Sequence, residues 1–406
     1  MARTTKRTGQ TRDGRKGGTS PFGLGVRPLW LLEPETVHLN HAGFGATPGA
    51  VLDAADAWRR RIEANPSRFM ETELSAALRI AAGRLAQYVG ARGEDLVFVD
   101  NATTGINAVL RSLVLMPGDE VLTTSHVYRS VRHTLDFVCQ RAGARLTFAD
   151  IPFPVHGAGE VIAAFREAMT PRTRLLVLDH VTSHTAVVMP LEQIVSLAAE
   201  RNMRVLVDGA HGPGNLKLSL DALGEMGVSW YVGNCHKWLS STKGCGFLWA
   251  HPDFQRSMRP TAIGNRFGEG FAEAFEWPGT KDFSPWLSVT AALDFRERMG
   301  DAAARDYCHI LARDGAQLLT EAWGTRAGTP PTLASAMTAI ALPSDAGSDR
   351  AAQAVQDALR RDHGIEVKVM AFNGRLWVRF SAYLYSEMDD IARLAEAGRA
   401  ACLAAA

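Results

Sequence analysis

The sequence predicts an α/β protein built on a large, mostly parallel β-sheet. Two observations lead to this class. Short apolar runs with the character of buried strands occur at residues 95–99, 120–123, 145–148, 174–178 and 204–207. Amphipathic periodicity typical of helices occurs at residues 49–65, 73–89, 104–114, 128–142 and 190–202. Strands and helices therefore alternate along the chain, which is the pattern of βαβ units whose helices cover both faces of a sheet.

Changes in this pattern predict the domain organisation. Residues 1–27 combine basic residues with Gly, Thr and Ser, and this composition predicts a disordered basic tail. A nucleic-acid-binding arm is the functional alternative for the tail. Residues 28–286 carry the alternating pattern and are expected to form a large domain. Residues 287–406 begin with a long helical pattern and continue with apolar stretches and a further helix, so we expect a smaller α+β domain.

Composition limits the classes of function. Of the 406 residues, 44 are Lys or Arg and 43 are Asp or Glu, so the chain offers no broad field for nucleic acid or an anionic membrane. No apolar run is long enough to span a membrane. The five cysteines are scattered and lack the spacing of a metal site, which favours a reduced, cytoplasmic protein.

The most informative pattern joins an acid to a lysine. Asp208 ends a predicted strand, and Lys237 follows 29 residues later within the run NCHKW. A pyridoxal 5′-phosphate (PLP) site needs such a pair, because a lysine binds the cofactor as a Schiff base and a carboxylate pairs with its ring nitrogen. Taken singly, Asp208 could be a helix cap and Lys237 a surface residue lying on a tryptophan.

A second segment predicts a phosphate site. The run DNATTGIN at residues 100–107 follows a predicted strand and opens a helix. Free backbone N–H groups and hydroxyls at a helix N-terminus suit a phosphate monoester. A threonine cap on a glycine-containing turn is the alternative interpretation of this segment.

Taken together, these motifs resemble the class V aminotransferase family of fold type I PLP enzymes, and within it the isopenicillin N epimerase-like branch. The resemblance extends over residues 36–396. The residues that carry it are HLNHAGFGATP (38–48), TTGIN (103–107), LVDGAH (206–211), HKW (236–238), WPGTKD (277–282), SPW (284–286) and VRFSAY (378–383). It implies a seven-stranded sheet in the large domain, an N-terminal segment packed on the small domain, and a homodimer with shared active sites.

The resemblance also assigns roles to individual residues. Lys237 would be the Schiff-base lysine and would move the α-proton, Asp208 would hold the pyridinium, and Arg379 would bind the substrate α-carboxylate. Tyr128 would stack on the cofactor ring and take part in catalysis, with His126 as the alternative. The remaining cofactor contacts would be Thr103, Thr104, Ser183, His211, Asn234, His236 and, across the dimer interface, Thr280. The remaining substrate contacts would be Asn40, His41 and Phe44.

Two departures from the family pattern matter. Asn234 stands where the family usually has a serine that binds the phosphate, although an amide can also donate a hydrogen bond. The reactive cysteine of cysteine desulfurases has no counterpart between Cys308 and Cys402, which disfavours sulfur transfer through a persulfide.

The expected activity is PLP-dependent chemistry at the α-carbon of an amino acid. Epimerisation or racemisation is the first expectation, and it requires a second acid, for which Tyr128, His126 and His184 are candidates. A β-eliminating C–S lyase acting on a cysteine-conjugate type of substrate is the alternative, and decarboxylation or condensation also stays open. The alternative without catalysis is a PLP-binding regulatory or interaction module. Arg266 is either a reader of a distal acidic group on the substrate or a solvated loop residue.

Overall fold

The computed structural model describes residues 21–404. Its strands are β1 (Val37–His38), β2 (Leu96–Val99), β3 (Glu120–Thr124), β4 (Arg145–Ala149), β5 (Thr173–Asp179), β6 (Arg204–Gly209), β7 (Trp230–Asn234), β8 (Gly246–Ala250), β9 (Met337–Ala341), β10 (Ile365–Glu366), β11 (Lys368–Phe372) and β12 (Arg375–Ser381). Its helices are α1 (His41–Phe44), α2 (Gly49–Ala64), α3 (Pro66–Arg68), α4 (Leu74–Val89), α5 (Ala102–Ser112), α6 (Arg129–Ala142), α7 (Ala158–Ala168), α8 (Leu191–Ala199), α9 (Leu220–Glu225), α10 (Pro252–Gln255), α11 (Phe271–Glu276), α12 (Ser284–Leu287), α13 (Val289–Arg298), α14 (Asp301–Trp323), α15 (Asp349–His363) and α16 (Met388–Ala404).

A seven-stranded sheet forms the centre of the molecule. Its strand order is β2-β8-β7-β6-β5-β3-β4, and every neighbouring pair is parallel except the two pairs that include β8. The five strands expected from the sequence correspond to β2 through β6. The prediction of an α/β fold with a mostly parallel seven-stranded sheet is confirmed, and the parallel strands bring their carboxyl ends to one edge of the sheet.

The C-terminal part of the chain forms a second, smaller sheet with helices packed around it. Strands β11, β12 and β9 make an antiparallel sheet, on which α14, α15 and α16 pack. The N-terminal segment joins this region, because β1 pairs in parallel with β10. The domain boundary at residue 286 stays a prediction.

The beginning of the described chain differs from the tail expected there. Residues 1–20 of the predicted disordered basic tail lie outside the described residues. Part of the described remainder has packed partners: Phe22 is buried, and the N–H of Gly23 donates to the carbonyl of Leu384. Arg27 also donates to the carbonyl of Thr36. Disorder is therefore not expected at Phe22, Gly23 and Arg27, which the sequence analysis included in the tail.

Helix α5 approaches the sheet unusually closely, and this approach places its N-terminus over the strand ends. A Cβ atom on Gly105 would lie 2.5 Å from Cγ1 of Val232 on β7, so only glycine fits at this crossing. Gly83 on α4 is the opposite case, since a Cβ atom there would meet nothing within 4 Å. Among the helices of residues 21–404, none is long and apolar enough to cross a membrane.

We expect Gly105→Ala to lower the free energy of unfolding by about 1–3 kcal/mol, because the added methyl group overpacks the contact between α5 and β7. The matched control is Gly83→Ala, which should raise stability by about 0.5–1 kcal/mol through helix propensity alone. Urea denaturation of both variants measures the difference. Equal stability of the two variants would contradict the close approach of α5.

Candidate active site

A cleft of about 300 Å³ opens at the carboxyl ends of the parallel strands. Seven segments that are separated in sequence meet there, at residues 43–44, 100–103, 128, 179–183, 208–211, 234–237 and 243–244. The predicted site residues that line it are Phe44, Thr103, Tyr128, Ser183, Asp208, His211, Asn234, His236 and Lys237. The fold thus brings together most of the residues that the sequence motifs singled out, because all of them except Phe44 follow or end a strand of the seven-stranded sheet.

The side chain of Lys237 is partly buried and lies next to His211. Burial lowers the pKa of the amine to about 8, against the opposing effect of the Asp208 carboxylate. Nζ of Lys237 lies 3.2 Å from Nε2 of His211, whose Nδ1 lies 3.3 Å from the indole nitrogen of Trp238.

The tryptophan N–H can only donate, so Nδ1 of His211 accepts. Burial and the neighbouring lysine lower the pKa of His211 well below its ordinary value, so the imidazole is neutral and its proton resides on Nε2. This proton faces Nζ of Lys237, and it favours the uncharged amine, which has a lone pair to accept it. With its pKa lowered to about 8, the amine reaches its uncharged, nucleophilic form at a lower pH than an ordinary lysine does.

His41 contacts the backbone of Lys237. The sequence analysis expected it to contact the substrate instead. His41 is fully buried and does not line the cleft. Its Nε2 lies 3.0 Å from the carbonyl oxygen of Lys237, and its Nδ1 lies 2.8 Å from the hydroxyl of Tyr385. The His41 ring also stacks on Tyr383 with centroids 3.4 Å apart. His41 therefore fixes the lysine loop.

Asp208 occupies the end of β6. One of its carboxylate oxygens accepts the N–H of Ala210 at 3.0 Å. Burial raises the pKa of Asp208, while this N–H and the nearby Lys237 act in the opposite direction. A carboxylate in this position can pair with a cationic group in the cleft.

The N-terminus of α5 forms one wall of the cleft. Oδ1 of Asn101 caps the helix by accepting the N–H of Thr104 at 3.0 Å, and Oδ1 of Asn234 accepts the N–H of Ala102 at 2.8 Å. Within residues 21–404, the amide nitrogen of Asn234 has no hydrogen-bond partner, so it can donate to a ligand. Thr103 is exposed at the same helix end. These donors and the positive end of the helix suit a phosphate.

His236 and Thr104 contribute less directly. Nδ1 of His236 lies 3.3 Å from the carbonyl oxygen of Cys245, and burial lowers its pKa to about 4. The hydroxyl of Thr104 lies 3.3 Å from Oδ1 of Asn101, and Thr104 lines a neighbouring depression that also contains Thr280. Within one chain, Thr280 does not reach the cleft, so its expected contact with phosphate requires a second subunit.

Arg379 lies on β12 beside the cleft. One guanidinium nitrogen donates to Oδ1 of Asn40 at 3.0 Å, and the other terminal nitrogen donates to the carbonyl of Ser183. Nε is buried and unpartnered among the described residues. Burial lowers the pKa of Arg379 to about 10, which leaves the group cationic at neutral pH. Asn40 thus orients the arginine, and the arginine suits a carboxylate.

The three candidates for a second acid differ in position. Tyr128 is 39% exposed at the mouth of the cleft, and its ring lies 6.3 Å from the ring of His184. His126 is buried elsewhere: its nitrogens lie 2.8 Å from Oγ1 of Thr185 and 3.1 Å from the carbonyl oxygen of Ile151. His126 does not line the cleft, so the geometry favours Tyr128 over His126.

The structure adds two charged residues that the sequence analysis missed. Asp179 ends β5 and Lys243 precedes β8, and both line the cleft. Asp179 had a signal in the sequence, because it ends a predicted strand as Asp208 does. Arg266, in contrast, bonds to Glu269 and Glu276 of its own chain, which favours an internal structural role.

These residues fit PLP. A lysine with a lowered pKa, a carboxylate and a set of phosphate donors line one cleft. The partly unpartnered Arg379 does not line it but contacts Ser183, which does. Each of these groups matches one chemical group of the cofactor or of an amino acid. The model of the aminotransferase class-V family matches residues 37–394. The chain belongs to the aminotransferase class-V family. Its cofactor is accordingly PLP.

Individual relatives of this class-V protein fall into two groups. An isopenicillin N epimerase from Amycolatopsis lactamdurans is 33% identical over 386 residues, covering 90% of this chain and 95% of the relative. A putative L-cysteine desulfhydrase from Oryza sativa subsp. japonica is 29% identical over 402 residues, covering 90% of this chain and 83% of the relative.

Solved structures agree on the fold. A cysteine desulfurase from Escherichia coli superimposes with a TM-score of 0.75 at 21% identity, covering 93% of this chain and 97% of that one. A cystine C–S lyase superimposes with a TM-score of 0.74 at 23% identity, covering 89% of this chain and 97% of that one. The class-V chain therefore has the fold type I architecture.

We expect the rate at which added PLP attaches to the stripped protein to rise with pH, with its midpoint at about pH 8, where half of the Lys237 amines have lost their proton. In Asp208→Asn this midpoint should move to lower pH, because the carboxylate that stabilises the ammonium form is gone. The exposed Asp136→Asn on α6 serves as control and should keep the wild-type midpoint. Stopped-flow absorbance measures the rate, and an unchanged midpoint in Asp208→Asn would contradict the assignment.

Proposed function

We propose that this class-V enzyme is a PLP-dependent amino-acid epimerase. The observation that carries the proposal is that two acid/base groups, Lys237 and Tyr128, line one cleft. Inversion of an α-carbon requires one group to remove the proton and another to return it from the opposite side. The epimerase relatives at 33% and 31% identity support the same activity.

The roles of the residues follow from the contacts. PLP, when bound, withdraws electrons from the α-carbon of an amino acid, which makes its proton removable. Arg379 would hold the substrate α-carboxylate through the guanidinium that Asn40 orients. Lys237, as the neutral amine, would accept the α-proton, and the hydroxyl of Tyr128 would donate one. Phe44, exposed beside the cleft, would contact the substrate side chain.

A β-eliminating C–S lyase is the second candidate. The cysteine desulfhydrase relatives favour it, and elimination needs only Lys237 as a base. Sulfur transfer through a protein persulfide has no support, because all five cysteines are buried and unpaired and none lines the cleft. Tyr128 is therefore the residue that separates epimerisation from elimination.

We also propose that two copies of the chain share their sites. Thr280 lies in a depression that adjoins the N-terminal turn of α5 on the outside of the molecule, together with Lys281, which forms an ion pair with Asp100 of the cleft. A second copy bound here would bring its own Thr280 toward the N-terminus of α5, where the phosphate donors lie.

Sedimentation equilibrium should show a dimer. Thr280→Val should weaken PLP binding without altering the pH midpoint of PLP attachment, which is set by Lys237.

The reaction is tested by incubating the PLP-loaded enzyme with a panel of L-amino acids in D₂O. We expect α-deuteration and the appearance of both enantiomers for at least one substrate. Tyr128→Phe should lower the rate of inversion by about 10²-fold, the usual contribution of a general acid, while Lys237 still exchanges the α-proton. Chiral chromatography and NMR measure the two rates separately.

His126→Asn is the control, because His126 lies outside the cleft and should not affect the ratio of inversion to exchange. Formation of pyruvate or release of a thiol, without the opposite enantiomer of the substrate, would contradict epimerisation and support elimination. Loss of CO₂ with the α-proton retained would contradict both candidates.

A further inference from the structure

Asp179 is a second carboxyl group beside Asp208. The two residues are direct partners in the parallel pairing of β5 with β6, so their side chains project from the same face of the sheet. Asp179 is the last residue of β5 and Asp208 the last but one of β6, both line the cleft, and they are 3% and 4% exposed. The motifs that identify the cofactor site do not include Asp179.

Two buried carboxylates in neighbouring positions cannot both be ionised without strong repulsion. The charged groups that face Asp179 are Asp208 on β6 and Lys237 on the loop after β7. Lys237 is the only cation among them, and a single positive charge can balance only one carboxylate. One carboxyl group of the Asp179–Asp208 pair is therefore expected to be ionised and the other protonated.

Hydrogen bonding decides which carboxyl carries that charge. Asp208 accepts the N–H of Ala210, which stabilises its anion. Oδ2 of Asp179 is buried and has no hydrogen-bond partner among residues 21–404, and its carboxyl receives only its own backbone N–H. A lone carboxylate oxygen in such a place is costly, whereas a protonated oxygen carries no charge. Burial and the neighbouring Asp208 accordingly raise the pKa of Asp179 well above its usual range.

We propose that Asp179 is a neutral carboxylic acid that confines the negative charge of this pair to Asp208, the residue placed to hold the ring nitrogen of PLP. Asp179 is thus a positioning residue that acts through Asp208. The inference rests on the PLP site and holds for epimerisation and elimination alike.

The variant Asp179→Asn tests this directly, because an amide has the shape of the neutral acid and can never be ionised. We expect Asp179→Asn to bind PLP within about twofold of wild type and to keep the pH midpoint of PLP attachment. Asp208→Asn is the matched comparison: it removes the charge itself, and it should weaken PLP binding by about tenfold or more and lower the midpoint.

Infrared spectroscopy of the full chain gives a readout that does not depend on turnover. At neutral pH the wild-type protein should show the carbonyl stretch of a protonated carboxyl group, and this band should be absent in Asp179→Asn. If Asp179→Asn lowered the midpoint as Asp208→Asn does, or removed no band, Asp179 would be ionised and the proposal would be overturned.

A labelled wild-type protein covers the case in which Asp179→Asn fails to fold. Incorporation of ¹³C-aspartate shifts the carbonyl band of a protonated aspartic acid and leaves glutamic acids unshifted. A shifted band at neutral pH supports the neutral Asp179. Absence of any protonated aspartate at that pH would overturn it, whether or not the enzyme proves to be an epimerase.

Discussion

The interaction on which the site depends is the contact between a buried amine and a neutral imidazole. Lys237 loses its solvation on burial, and the proton on His211 Nε2 faces its nitrogen at 3.2 Å. Both effects favour the uncharged amine, and the carboxyl groups of Asp208 and, to a smaller extent, Asp179 oppose them. The reactivity of the lysine is therefore set by the protein before any ligand binds.

The same loop is also where the two halves of the chain meet. His41 from the N-terminal segment and Tyr383 from the end of the C-terminal sheet contact the backbone at Lys237 and Trp238. The strand that leads to Tyr383 also carries Arg379. A single packed region thus fixes the distance between the cofactor-binding lysine and the arginine suited to the substrate carboxylate.

The sequence predicted the parallel sheet and the cleft because both depend on local patterns. Asp208 and Lys237 follow strands, and the carboxyl ends of parallel strands must lie at one edge. The positions of His41 and His126 could not be predicted, because a histidine near a motif looks the same in sequence whether it faces the cleft or the core. Asp179 stands at a strand end in the sequence as Asp208 does, but only the strand pairing places the two residues side by side.

The identity of the lysine that binds PLP is the most direct test of this account. Lys237 and Lys243 both line the cleft, so Lys243 is a second amine within reach of a ligand there and competes with Lys237 for PLP. Reduction of the PLP-loaded protein with borohydride, followed by peptide mass spectrometry, locates the attached cofactor. The account predicts the pyridoxyl group on Lys237 alone, and its appearance on Lys243 or on neither lysine would contradict it.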